Sequence, residues 1–283
     1  MGKKFHHYVP VHHQRRWLRP GTSGPEVFHF NKATGRYFGN DIRTILGKKH
    51  LYSLVGSVEP DPHFEDAVFG QIDGVPSSIV TKLHFDENYR LTDQDKRDLA
   101  IFLVASVFRT PWGLTSIRDR IKEAVEKSLD AYTGVSLDGI DFVPADCKKR
   151  FLDNDADYIR SNAPLVAVCN YILKSDMTRE ISTWPYVVMR LRSPDQTFIT
   201  SDNILLMYAE GNSRVHIAPL TPKICLVSAS DPADLVSLNS DEARFCNGVN
   251  GQMWERARNS VIGFPDAPYL NTLGFVRGDR DRL

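Results

Sequence analysis

The residue pattern predicts an α+β protein: a central helical bundle combined with a small N-terminal β element and a C-terminal, mainly antiparallel β lobe. Three observations carry this reading. Near the N-terminus, EVFHF (Glu26 to Phe30) and Arg36-Tyr37-Phe38 are spaced as strands around NKATG, a turn-forming segment. Apolar residues at helical spacing then run from Phe64 to Leu173. Beyond Ser182 they give way to β-branched and aromatic runs separated by turn residues.

Each element rests on its own residues. Ala67, Val68, Ile72, Ile79, Val80 and Leu83 are spaced for helix. Pro76 predicts a break near Gly74-Val75-Pro76, because proline removes a ladder hydrogen bond and clashes with the preceding turn. Two helical pieces are expected there. Thr92 to Asp95 has the layout of a capping box with Asp in place of Glu or Gln. It opens the run Leu99 to Phe108, whose apolar residues cover most of the helix circumference and mark the buried centre of the fold. Pro111 ends that helix, and Ile117, Ile121, Val125 and Leu129 recur every fourth residue on an amphipathic helix after it. Gly134 to Ala145 reads as a loop, and Asp153 to Leu173 as a helix interrupted at Asn162-Ala163-Pro164. Strands are expected at Trp184 to Leu191, Thr197 to Thr200, Ile204 to Tyr208, Val215 to Ile217 and Ile224 to Val227. A last helix is expected from Ala243 to Ile262, with Val249, Met253, Ala257 and Val261 on one face. The whole chain, 1–283, reads as one domain with two lobes, residues 60–180 helical and residues 1–59 with 181–283 rich in β structure.

Composition bounds the partners. Lys plus Arg equals Asp plus Glu at 35 each, which removes the general electrostatic drive toward nucleic acid or an anionic membrane. Any polyanion site must be a local patch, and the N-terminal head supplies one, since Lys3, Lys4, Arg15, Arg16 and Arg19 come before any acidic residue. Cys147, Cys169, Cys225 and Cys246 are far apart, so neither a thiolate zinc site nor a redox dithiol is suggested, and they are read as reduced. No apolar run reaches the ~20 residues of a membrane span and the N-terminus has no signal-peptide core, so no membrane partner and a cytoplasmic location are expected. No Walker loop, G-x-G-x-x-G, H-E-x-x-H or G-x-S-x-G occurs.

The residues that could carry chemistry begin with His6, His7, His12 and His13. Neutral imidazole is both a metal ligand and a general base near neutral pH, so these four are the candidate ligands for a divalent metal. Tyr8, Val9, Pro10 and Trp17 are placed to pack, which argues for an ordered head rather than a tail. His6 and His7 are the candidate catalytic imidazoles, with Glu65 and Asp202 as acidic partners. Glu65 and Asp73, eight residues apart, would share a helix face about 12 Å apart along the axis, too far for a common metal in a straight helix. Asp73 therefore reads as a cap for a helix starting at Pro76. Ser201-Asp202-Asn203 reads as a turn at a strand end, where a scaffold also presents functional groups. Asn203 joins Arg15, Arg16 and Arg109 as candidate substrate-binding residues, since guanidinium offers a planar donor fork to oxyanions. Arg109 ends the most buried helix, so its charge needs solvent or an acid.

His6-His7-Tyr8-Val9-Pro10 with Arg15-Arg16-Trp17, FHFNKATGRY from Phe28 to Tyr37, Phe64-Glu65, Phe198 to Asn203 (FITSDN) and Pro219-Leu220-Thr221-Pro222 follow one another in order. As a set they resemble the domain-of-unknown-function family numbered 4238, headed by an HHYVP motif. The sequence departs from the family pattern at Val11-His12-His13-Gln14, where the family commonly has Q-F-Y-L, and at Asp73, where it has a second Glu. The resemblance marks segments but implies no reaction. The expected function is hydrolysis of a phosphate ester, as in a nuclease, by a His, acid and Arg site, with nucleic acid or a nucleotide as partner. The alternative is a noncatalytic recognition or effector-partner module, for example in bacterial defence or mobile elements.

Overall fold

A computed structural model of the chain describes residues 5–53, 68–130, 135–137, 140–143, 156–210, 213–236, 241–265, 268–271, 273 and 276–277. The head opens with strand β1 (Phe5–His7), followed by a helical turn α1 (Val11–Gln14) and a 3-10 turn at Arg15–Trp17. Strands β2 (Glu26–Asn31) and β3 (Arg36–Asp41) form the expected hairpin. Its turn is built by Asn31, whose Oδ1 accepts the N–H groups of Ala33 and Thr34, and by Gly35 at φ +63°, a conformation that a side chain would strain. Strand β4 (Gly47–Lys49) returns to pair antiparallel with β1.

The helical layer follows. Helix α2 (Gly70–Phe85) runs unbroken through Pro76, so the expected split into two pieces does not occur. The reason is tertiary: Pro76, Ile79, Val80 and Leu83 lie at i, i+3, i+4 and i+7 and are all buried, and that burial offsets the missing ladder bond. Helix α3 (Asp93–Phe108) begins with the expected capping box, Thr92 and Asp95 exchanging side-chain and backbone hydrogen bonds. Helix α4 (Pro111–Asp130) leads to strands β5 (Val135–Leu137) and β6 (Ile140–Val143), a hairpin where a loop was expected. Helix α5 (Ala156–Lys174) is continuous through Pro164, which is buried beside Leu165 and Val168 on the face that enters the core, so the expected interruption is also absent. Residues 64–67 and 153–155, expected to open α2 and α5, lie outside the described residues. A short helix α6 (Asp176–Thr183), capped by Ser175, completes the layer.

Strands β7 (Tyr186–Arg190), β9 (Leu206–Glu210), β10 (Ser213–Thr221) and β11 (Ile224–Ala229) form an antiparallel sheet in the order β7-β11-β10-β9. Its two faces enter different cores. Ala218, Leu220, Ile224 and Leu226 share a core with Ile79, Leu83, Leu99, Phe102 and Leu103 of α2 and α3. Ile217, Cys225, Val227 and Met189 share the other with α8 (Glu242–Arg256), which follows the short helix α7 (Pro232–Val236). Burial on both faces explains the unbroken apolar run of β11. A second sheet, in the order β13-β3-β2-β12-β8, joins β8 (Thr200–Ser201), β12 (Ser260–Ile262) and β13 (Val276–Arg277) to the N-terminal hairpin, with helix α9 (Pro268–Asn271) before β13.

Two expected C-terminal elements change form. Of Thr197 to Thr200, only Thr200 enters a strand, because the Phe198 N–H goes to the Pro222 carbonyl and the Ile199 N–H to Asn250 Oδ1. The expected helix to Ile262 stops at Arg256, and β12 follows. Val249, Met253, Ala257 and Val261 nevertheless all reach one core, so their spacing reports burial correctly while the last two do so from outside the helix.

Candidate functional site

The head packs on the body, and several of its polar residues find partners in other parts of the fold. His6 is buried, its Nδ1 accepts the Tyr52 N–H at 2.8 Å, and its ring stacks on that of Tyr52. An accepting Nδ1 places the proton of the neutral ring on Nε2. The Tyr52 hydroxyl in turn donates to the Arg109 carbonyl. Arg109, at the end of α3, is buried, and its Nη1 donates to Asp73 Oδ1 at 2.6 Å while Nη2 donates to the His7 carbonyl at 2.8 Å. Its guanidinium lies over the Phe69 ring at 4.6 Å. Burial alone would make that charge easier to lose, but Asp73 and Tyr52 more than offset it and hold the pKa above the ordinary arginine value. Asp73 is therefore the ion partner of Arg109 in the first turn of α2, not the cap of a helix starting at Pro76.

His12 stands beside this pair, partly exposed, with its ring against Phe102. Burial lowers its pKa to about 4; the Asp73 carboxylate opposes the shift, and Arg109, Arg16 and Arg15 add to it. The ring is thus neutral at pH 7. Arg16 is anchored on α2 by hydrogen bonds to the Ser77 carbonyl and to Thr81 Oγ1, and burial lowers its pKa. Arg15 is exposed. His13 points elsewhere, with Nε2 hydrogen-bonded to Thr200 Oγ1 at 2.9 Å, and burial lowers its pKa to about 3. Trp17 donates its indole N–H to the Phe198 carbonyl, and Gln14 donates to the Val9 carbonyl.

Asp202 is buried and accepts three backbone N–H groups, from Arg258, Asn259 and Ser260, at 2.8 to 3.1 Å. Desolvation raises its pKa even so. Its contacts turn the chain out of α8 and into β12. Tyr8 in the head feels this carboxylate, its hydroxyl pKa being pushed up to about 12 by burial and then by Asp202. The Asn203 N–H and carbonyl close a turn on the Ser201 hydroxyl. Glu65 lies outside the described residues.

The structure thus brings Arg109 and His12 together with Asp73 and Arg16, and ties His6 to the same network through Tyr52. Asp202 serves the turn into β12, and Asn203 a turn at the end of β8. Among the described residues no three His, Cys, Asp or Glu side chains gather to hold a metal ion, so the four head histidines do not form one ligand set. No single helix among the described residues is long and apolar enough to cross a membrane.

Residues 6–267 match the sequence profile of the family described as protein of unknown function (DUF4238). The chain belongs to this family. Neither a curated protein nor a solved structure matches it. The match covers the head, the helical layer and both sheets except β13, so the DUF4238 unit includes His12, Arg15, Arg16, Asp73 and Arg109.

Sequence reasoning missed Tyr52 and the pairing of Asp73 with Arg109. A signal for the second was present: an arginine ending the most buried helix needs an acid, and on α2 Asp73, Ser77 and Thr81 recur at i, i+4 and i+8, the spacing of one face. That face receives both Arg109 and Arg16.

Proposed function

We propose that the chain acts on a phosphate ester, with a nucleotide or nucleic acid as the substrate class, at the patch formed by His12, Arg15, Arg16, Asp73 and Arg109. One observation carries the reading: a partly exposed, neutral imidazole has three guanidinium groups and one carboxylate as its electrostatic neighbours. The surplus of positive charge favours an oxyanion, and a guanidinium fork fits phosphate geometry. Arg16 and Arg109 are preorganised by their bonds to α2, so they lose little freedom when an anion arrives. A bound phosphate would raise the proton affinity of His12, which then takes a proton from the attacking water or hydroxyl. His6 and Asp202 act in this reading as positioning groups for the head and for β12.

The test is turnover of bis-p-nitrophenyl phosphate and of labelled single-stranded DNA and RNA, with and without added divalent metal. His12→Ala should lower any turnover by about 100-fold or more while leaving the unfolding midpoint nearly unchanged. Absence of turnover together with absence of any phosphate-dependent shift of the His12 ring resonances sinks the proposal. A second reading, a noncatalytic recognition module, is favoured by a different observation: Arg16, Arg109 and Asp202 already have partners within the chain. Binding of an oligonucleotide without turnover, unaffected by His12→Ala, would select it.

A further inference from the structure

Among the described residues strand β7 is the terminal strand of its sheet, paired with β11 on one side only. The hydrogen bonds on that side fix which groups point away from it. The Ala229 N–H donates to the Pro185 carbonyl and the Leu191 N–H to the Lys223 carbonyl. In an antiparallel ladder the residues that exchange such bonds alternate with residues whose N–H and C=O face the opposite way. With the register running from Tyr186↔Ser228 to Arg190↔Ile224, the odd-numbered residues bond to β11. Tyr186, Val188 and Arg190 therefore present their backbone N–H and C=O at the free edge, and no described residue pairs with those groups.

Sheet edges are usually blunted by a proline, a bulge or a covering segment, because an open row of donors and acceptors templates another strand. β7 has no proline within Tyr186–Arg190 and no register shift. Among the described residues no segment pairs over it, and the edge borders a groove of about 500 Å³ also lined by the segment between α2 and α3. Leu91 and the Tyr89 ring give that segment apolar surface, and Tyr89 is held in place by Asp95 and Lys82. The Arg190 guanidinium donates to the carbonyls of Leu83 and Asp86. Arg90, Lys96 and Arg190 line the groove with one carboxylate, Glu87, and Lys96 also pairs with Asp93 at 3.2 Å.

We propose that this edge takes up an extended, acidic peptide segment of a partner protein as an added strand. Backbone pairing with Tyr186, Val188 and Arg190 supplies the affinity, and Arg90 and Lys96 select for carboxylates. The site is distinct from the His12 patch and does not depend on the reading given for it.

The experiment is amide hydrogen exchange on the full chain, alone and with acetyl-Glu-Val-Glu-Val-Glu-Val-Glu-amide at roughly 1 mM. In the free protein the amides of Tyr186, Val188 and Arg190 should exchange fast and those of Val187 and Met189 slowly. The peptide should slow the first three by about tenfold or more and leave the other two as they were. The same peptide N-methylated at alternate residues, or with Lys in place of Glu, should have no effect. Val188→Pro removes one outward N–H and should weaken binding. Should that variant fail to fold, the surface pair Arg90→Glu and Lys96→Glu should abolish the effect of the acidic peptide. The proposal is overturned if the three amides do not slow, if the N-methylated or Lys peptide acts equally, or if oligothymidylate displaces the peptide. Protection that rises with protein concentration alone would also overturn it, by making a second copy the occupant.

Discussion

Removing the carboxylate of Asp73 is the sharpest test of the polar network beneath the head. The Arg109 side chain is 2% exposed and that of Asp73 20%, with 2.6 Å between Nη1 and Oδ1. Asp73→Ala leaves a guanidinium that cannot lose its proton in a site with little water. Breaking a buried pair in this way costs 3–5 kcal/mol in general, and because water reaches the Asp73 side the expected loss is about 3 kcal/mol. Arg109→Met should cost less, about 1–2 kcal/mol. Its apolar stem still covers Phe69, the stranded carboxylate can hydrate, and the largest remaining loss is the donor to the His7 carbonyl. The double variant should therefore be more stable than Asp73→Ala alone. Urea unfolding at pH 7, followed by circular dichroism with the slope held constant, measures all three. A loss below about 1 kcal/mol for Asp73→Ala, or a larger loss for Arg109→Met, would refute the reasoning.

Leu103, 1% exposed on α3, should cost about 2–5 kcal/mol when changed to Ala, and a small loss in thermal or urea unfolding would show that the helix is peripheral. The His13 pKa lies near 3 in the folded chain against an ordinary value of 6.5, so the unfolded state binds the extra proton as pH falls. Its contribution is fully present above pH 6.5 and is lost toward pH 3, about 2 kcal/mol of it by pH 5. In His13→Gln, the slope of stability against pH in that window should fall by about 1.4 kcal/mol per pH unit, and an unchanged slope would contradict it. Limited proteolysis should leave the head intact to Trp17, since Val9 and Trp17 are buried; early trimming with the fold retained would show that it is not packed.

The parts of the fold that were legible in the sequence are those specified locally. The Thr92–Asp95 capping box and the all-round apolar run after it fixed α3, and the Asn31–Gly35 turn fixed the first hairpin. Pro76 and Pro164 misled because their neighbours on the same helix face are buried by distant elements, which local propensity does not register. Val261 had the right burial and the wrong element, since the helix ends where Asp202, some 56 residues earlier in sequence, takes up the N–H of Arg258. The site follows the same rule. A packed, histidine-rich head and an arginine in need of an acid could be read directly, and the spacing of Asp73, Ser77 and Thr81 marked the face that meets that arginine, whereas Tyr52 as the partner of His6 and Thr200 as that of His13 are long-range contacts that no spacing reveals.

Three of the head's histidines, His6, His12 and His13, differ in what a substitution would disturb, and this separates structure from function. His6 joins β1 to Tyr52, and through the Tyr52 hydroxyl to the end of α3. His13 joins α1 to β8, and Trp17 joins the head to the segment just before β8. Together with Arg16 on α2 and the His7 carbonyl on Arg109, these contacts tie the helical layer to the second sheet through one short segment. Loss of His6 or His13 therefore leaves a buried donor or acceptor unmet and should be felt as stability, about 1–3 kcal/mol each. His12 is partly exposed, with no side-chain hydrogen bond among the described residues and arginines among its electrostatic neighbours, so its loss should change stability less and anion binding most. If His12→Ala destabilises the chain as much as His6→Ala does, the His12 patch is one more part of this fastening and the phosphate-ester reading loses its support.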